Sequence, residues 1–251
     1  MRNFRSSALA VMVALALPAL SAGAVRAQGE VYVIESSVPS IKVGTSFGAG
    51  DKISVPAGGY LRAVLPSGKT HTVKGPYQGT VADLAGGQAR NEGVMAWLRA
   101  LMQTGGATEG TSGATRSMRR ANAPTAHMPF SWTAVPVTSD GDLCVQRGAT
   151  LQLTRSSTAR AEQVTVVDAV SKAEGHAAWA AGQDATPWPA AVPARQDGVY
   201  LLVIPDRARR QIILHMLERV PAEADILTTL QAQNCKAQFQ TWVRERMTAK
   251  R

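Results

Sequence analysis

Cysteine, histidine and aromatic side chains are scarce in this sequence. Its 251 residues hold two Cys and four His, and Phe, Trp and Tyr together make up 5%. Two thiols are too few for a disulfide-dense scaffold or a cysteine-built metal cluster. His71, His127, His176 and His215 stand apart. None falls in H-x-x-x-H or H-E-x-x-H, the spacings that put two metal ligands on one helical face. The phosphate-cradling P-loop and the glycine fingerprint of dinucleotide sites are missing too. A serine hydrolase is not expected. Carboxylates such as Asp140, Asp142, Asp168, Asp184 and Asp197 fall mostly in turn-forming stretches. Nothing marks a pair of them for glycosidase chemistry, which needs two carboxyls roughly 5–10 Å apart. The expectation is therefore a protein that is not an enzyme and carries no cofactor or metal. A hydrolase re-enters only if the fold brings His71 or His176 into a cleft beside an Asp.

Long apolar runs are missing after the first segment. Arg2 and Arg5 precede an uncharged run over residues 8–20, and small residues lead to Ala27. A basic head, a short apolar middle and small residues before a cut make a secretory signal peptide over residues 1–27. The run falls short of the roughly 20 residues that span a bilayer, and Pro18 and Gly23 interrupt it. The alternative is that it stays uncleaved as an anchor. Cleavage leaves no transmembrane span and removes three Arg, lowering the formal net charge from +9 to +6. That surplus lacks the dense basic stripe with interleaved aromatics of nucleic-acid binders, so nucleic acid is not an expected partner. The basic clusters at 116–120 and 207–210 read as solvated loops, the alternative being contact with an acidic partner or an anionic envelope surface.

What is present is a core and a punctuated β pattern. The chain is 45% hydrophobic, with 22 Gly and 13 Pro, compatible with a packed fold. Short strand-like runs at 31–34, 40–43, 52–55, 60–65, 69–73 and 77–81 alternate with Gly/Pro turns. Val94, Trp97, Leu98 and Leu101 then switch to helical spacing within 88–103. Residues 104–128 read as a linker, or as a long loop pinned onto one fold. The second half returns to strands at 130–132, 143–146, 150–154 and 164–170, with a hairpin of 200–204 and 211–217. The apolar run 201–204 suggests burial on both faces. Pro221 opens a terminal helix with Glu223 and Asp225 in its first turn. Its apolar side is expected to pack on the second β unit, a membrane surface being the rival. The fold class expected is mainly β. Its domains are a β-sandwich or coil of short strands (28–86), an amphipathic helix (87–103), the linker (104–128) and a sandwich-like β unit closed by a helix (129–251).

Cys144 and Cys235, exported together, most simply form one disulfide. It would close a loop of about ninety residues, an upper value near 4–5 kcal/mol in chain-entropy models. Trp179 and Trp188 bracket a Gly/Pro-rich loop. They are candidates for a stacking platform toward sugars or cations, or caps on the end of a β core.

Gly50, Ile53, Val55, Pro56, Gly58, Gly59, Gly68, Gly75 and Pro76 follow the pattern G-x-x-I-x-V-P-x-G, a strand, then glycines closing on Gly-Pro. In this the first half resembles the FecR-type periplasmic domain over about fifty residues. The local roles expected are left-handed turns at Gly58, Gly59 and Gly68, and a strand end at Gly75-Pro76. Segments such as Gly141–Val145, Leu151–Arg155, Trp188-Pro189 and Leu230–Gln238 also resemble the tails of secreted FecR-like proteins. FecR regulators carry a sigma-factor-binding segment before a transmembrane helix. Here few residues precede a run that reads as cleavable, so that control is not carried over. The resemblance implies a β-rich domain outside the cytoplasm, periplasmic or secreted, that acts through protein contacts. The expected function is a sensing or interaction module in envelope signalling whose partner is another envelope protein. The alternative is a glycan or peptidoglycan binder using Trp179 and Trp188. Oligomeric state is left open.

Overall fold

The structure, a computed structural model, describes residues 30–104 and 128–249. The proposed leader and most of the proposed linker, with His127 and the 116–120 cluster, lie outside them. The chain is mainly β, with sheets joined by a helical layer.

The first unit begins with β1 (Val31–Ser36), a run in which both faces are buried. Side chains alternate along a strand. Val31 and Val33 therefore enter one core, and Tyr32 and Ile34 enter another. β1 lies between β2 (Ser46–Phe47) and β4 (Tyr60–Val64), and β5 (Thr70–Lys74) completes an antiparallel sheet of order β2-β1-β4-β5. Beside it β3 (Lys52–Val55) and β6 (Tyr77–Thr80) form a two-stranded ladder, whose Ile53 and Val55 fill the first core. A short helix α1 (Val81–Ala85) starts at a capping box between Thr80 and Asp83. The strand expected at 40–43 is absent. Its Ile41 N–H closes a turn on the Val38 carbonyl, and Val38 and Ile41 turn into the core.

α2 (Glu92–Gln103), capped by Asn91, carries the expected stripe: Val94, Leu98 and Leu101 are buried. Trp97 packs edge-on against Phe239 at 5.3 Å. The second unit is two sheets around a separate core. One has the order β11-β10-β13-β14-β8, the other β12-β9-β7. In chain order these are β7 (Ala134–Pro136), β8 (Gly141–Gln146), β9 (Gln152–Thr154), β10 (Glu162–Asp168), β11 (Glu174–Trp179), β12 (Ala185–Pro187), β13 (Gly198–Val203) and β14 (Arg210–Leu217). The β13–β14 hairpin forms as expected. Its run is not buried on both faces, since Tyr200 and Leu202 enter the core while Leu201 and Val203 are only half-buried. Residues 130–132 form no strand, and Trp132 lies in a bend leading into β7.

The terminal helix is two helices. A 3-10 turn (Glu223–Asp225) leads into α3 (Ile226–Ala232), and α4 (Lys236–Thr248) follows. The chain turns at Asn234, which takes the left-handed φ of 56° that Asn tolerates better than most residues. α4 does not pack on the second unit alone, because it lies against both β1 and β8. Tyr32 and Ile34 from β1, Cys144 from β8 and the apolar sides of α2, α3 and α4 share one core. That burial also takes Phe239, Trp242 and Val243 away from any membrane surface. Among the described residues no helix is long and apolar enough to cross a membrane.

Candidate functional site

The second unit's sandwich is closed on one side by the turn between β11 and β12. Its other side has the edge strands β7 and β8, and there α4 sits. Between α4 and these edges runs an open groove of about 400 Å³. Ala237, Thr241 and Arg244 line it from α4, at the four- and three-residue steps that share a helical face. Ala134, Pro136 and Leu143 line it from the strands, and Phe130 and Ser131 from the segment leading into β7. Thr138, Ser139 and Ser156 add hydroxyls, and among the described residues no Asp or Glu is in the wall.

Gln238 fixes the helix to the strand edge. The Cys144 N–H donates to Gln238 Oε1 at 2.6 Å, and Gln238 Nε2 donates back to the Cys144 carbonyl at 2.8 Å. The same Nε2 donates to the Ser131 carbonyl at 3.2 Å. A side-chain amide thus occupies the place of a neighbouring strand and leaves that part of the edge unable to recruit one. Further along, the Gln146 N–H donates to the Trp132 carbonyl at 2.8 Å. At the mouth the Phe130 N–H donates to Glu245 Oε1 at 2.5 Å.

The disulfide between Cys144 and Cys235, with 5.9 Å between Cα atoms, ties the same strand to the turn between α3 and α4. Both cysteines are fully buried. Arg244 closes the row of groove-facing residues on α4. Burial alone holds its guanidinium below the ordinary arginine range, and its Nη2 reaches Gln240 Oε1 at 3.4 Å.

His215, which sequence reading left as a strand residue, lies between two carboxylates. Its Nε2 is 2.7 Å from Asp142 Oδ1 and its Nδ1 is 2.8 Å from Asp197 Oδ1. Asn234 Nδ2 donates to the other Asp142 oxygen at 2.7 Å. A histidine base needs one ring nitrogen turned toward its nucleophile, and here both face carboxylates. The cluster joins β8, β14, the turn before β13 and the α3–α4 turn, as a clamp beside the disulfide. No local signal reveals it, since its members are up to 92 positions apart.

His71 and His176 are exposed, and His176 Nδ1 meets Thr165 Oγ1 at 3.1 Å. Residues Gly44-Thr45-Ser46-Phe47-Gly48 do spell G-x-S-x-G. Ser46 nevertheless sits in β2, paired with Tyr32, and not on the strand-to-helix turn that exposes a nucleophile. Among the described residues no three His, Cys, Asp or Glu converge as metal ligands.

The tryptophan platform is corrected. Trp179 is 1% exposed, its Nε1 donating to the Leu153 carbonyl at 3.3 Å. Trp188 is half-buried, donates to the Val192 carbonyl at 2.6 Å and meets Tyr200 edge-on. The loop between them is held by buried Arg155, which donates to the carbonyls of Gln183, Arg160 and Ala180. Both indoles pack against the β core rather than offering paired faces to a sugar.

The turn residues divide by role. Gly58 and Gly68 take positive φ, at 78° and 82°. Gly59 does not; a Cβ there would stand 3.1 Å from the Pro56 carbonyl oxygen. At Gly75 a Cβ would collide with that same carbonyl, so a close backbone approach requires glycine. Gly75-Pro76 separates β5 from β6, and Gly50 has open space around it. In the 207–210 cluster, Arg207 pairs with Glu162 at 2.5 Å and Arg210 with Asp140 at 3.6 Å.

Comparison with protein-family models, with curated proteins and with solved structures finds no match to this chain.

Proposed function

We propose that this protein is an exported, non-catalytic sensing or interaction module of the cell envelope, akin to FecR-type periplasmic domains, and that it meets its partner at the groove beside α4. The groove is the observation that carries this reading. It is a concave, partly apolar surface of binding-site size, on a scaffold held by a disulfide, a side-chain amide and a shared helical core. A disulfide suits an oxidising compartment. The one histidine seen beside carboxylates has both nitrogens engaged, which favours binding over acid–base chemistry.

The reading is tested by placing a photo-cross-linking residue at Thr241 in the groove or at Val170, which is 76% exposed on the β10–β11 turn. Cells should give a discrete adduct from position 241 and none from 170, and Ala237→Trp should abolish it by filling the groove. An adduct from 170 alone, or one unaffected by Ala237→Trp, would contradict the assignment.

A further inference from the structure

We propose that the free edge of β11 pairs antiparallel with β11 of a second copy of this chain, joining two five-stranded sheets about a two-fold axis at His176. No residue of β11 lines the groove beside α4, so this self-association surface is separate from it.

The inner ladder of β11 fixes what its outer side offers. β10 and β11 run antiparallel over six residue pairs, and the Asp168 N–H donates to the Ala173 carbonyl at 2.9 Å. Hydrogen-bonded and non-bonded pairs alternate along such a ladder, so Gly175, Ala177 and Trp179 bond inward to β10. The N–H and carbonyl groups of Glu174, His176 and Ala178 therefore point outward. β11 ends its sheet, and among the described residues no backbone group pairs with these six. All three residues are exposed.

The other sheet ends of the second unit are blunted. Gln238 occupies β8 at Cys144. On β7 the Ala134 N–H donates to Ser131 Oγ at 3.2 Å, and Pro136 has no N–H. β12 is three residues long and ends in Pro187. Short length and proline keep an edge from recruiting strands. β11 has neither: it is six residues long, without proline, and its register with β10 is unbroken.

A second β11 fits this edge. With the axis at His176, Glu174 lies opposite the second copy's Ala178, and His176 lies opposite its own equivalent. Each hydrogen-bonded pair exchanges two bonds, so this register uses every outward group, and an axis moved to residue 175 or 177 leaves some unused. Charge agrees with it. Glu174 faces no like charge and has the second copy's His176 as its diagonal neighbour, about 7–8 Å away and within reach of long side chains. His176 Nδ1 is engaged by Thr165 Oγ1 at 3.1 Å. When that hydroxyl donates to Nδ1, Nε2 carries the proton and is left to donate to the carboxylate. The two-fold makes this contact twice, which a strand of unrelated sequence would not. One strand against one strand buries less than the roughly 1,200 Å² of standard complexes, so the dimer is reversible and its population rises with concentration.

The experiment follows the mature protein by sedimentation velocity over a concentration series. It should pass from monomer to dimer. Ala178→Pro removes one outward N–H from each copy without touching the β10 ladder, and should weaken the dimer at least tenfold. Two cysteine variants read the register. Residues facing each other in a hydrogen-bonded antiparallel pair have Cα atoms about 5.5 Å apart, inside the roughly 4.4–6.8 Å that a disulfide spans. His176→Cys should therefore give a covalent dimer on mild oxidation. Glu174→Cys sets its two thiols four residue steps apart, about 14 Å, and should run as a monomer on the same non-reducing gel. Far-UV circular dichroism establishes that each variant is folded. A wild-type chain that stays monomeric throughout the series overturns the proposal, as does a folded Ala178→Pro that associates like wild type. A covalent dimer from Glu174→Cys in preference to His176→Cys overturns it as well. If Ala178→Pro does not fold, the two cysteine variants decide.

Discussion

Replacing Gln238 by Leu keeps most of the side chain's volume and removes its amide. The backbone N–H and carbonyl of Cys144 then lose partners at 2.6 and 2.8 Å, in a residue with no exposed surface. A buried polar group left without a partner costs about 1–3 kcal/mol. Two such groups give about 2–6 kcal/mol, and the Ser131 carbonyl, only half-buried, adds little. Set against the roughly 5–15 kcal/mol of a typical domain, Gln238→Leu should lower the urea midpoint markedly with little change in slope. Gln238→Glu sharpens the test. As a neutral acid, Glu accepts from the Cys144 N–H and donates to its carbonyl, as Gln does. As a carboxylate it faces carbonyl oxygens in a buried site, which raises its folded pKa above the unfolded value. A raised folded pKa gives stability that is present at low pH and lost as pH rises through that value. Relative to wild type at each pH, Gln238→Glu should therefore be mild near pH 4 and severe at pH 8. A loss under about 1 kcal/mol for Gln238→Leu, or a pH-independent Gln238→Glu, would refute the strand-edge role.

Other perturbations follow from the same geometry. Cys144→Ala with Cys235→Ala opens a link between residues 91 apart and should cost up to about 4–5 kcal/mol by chemical denaturation, and dithiothreitol should have no further effect on that variant. Gly75→Ala forces a Cβ onto the Pro56 carbonyl and should abolish soluble expression or cost more than about 3 kcal/mol, whereas Gly50→Ala should lie within about 0.5 kcal/mol of wild type. Asp168 accepts hydrogen bonds from the Ser171 and Val170 N–H groups and pairs with Arg195. These hold its carboxyl below the ordinary value, the Ser171 bond most of all. A depressed folded pKa gives stability present above the unfolded pKa and lost as pH falls through the folded one. Asp168→Asn should accordingly flatten the acid limb of the stability–pH curve, read by thermal melts below pH 5.

Legibility in the sequence tracked how local each cause was. The Val94/Leu98/Leu101 stripe and the β13–β14 hairpin announce themselves by period and by the turn between them. So does the thiol pair, once export is assumed. β11 (Glu174–Trp179) went unread because its exposed Glu174, His176 and Ala178 give no apolar run. It exists because β10 offers a ladder over six residue pairs. β12, three residues including Thr186 and Pro187, depends in the same way on β9. The split of the terminal helix at Asn234 leaves only a weak mark, an Asn before a Cys. The helical layer could be suspected from the continuous burial of β1, where Tyr32 and Ile34 alternate with Val31 and Val33 toward two different cores. The groove and the His215 clamp could not be, because they assemble residues from opposite ends of the second half. Trp179 shows a choice that only burial decides: of the two roles open to a loop-flanking aromatic, ligand platform or core cap, it takes the second.

The central claim is that this fold matures outside the reducing cytoplasm, with Cys144 and Cys235 already joined. It is tested most directly by intact-mass analysis of the protein recovered from separated cell fractions, alkylated with and without prior reduction. The account predicts a chain beginning at Gln28 in the periplasmic or secreted fraction, taking up two alkyl groups only after reduction. A cytosolic chain that keeps residues 1–27 and alkylates at both cysteines without reductant would contradict it.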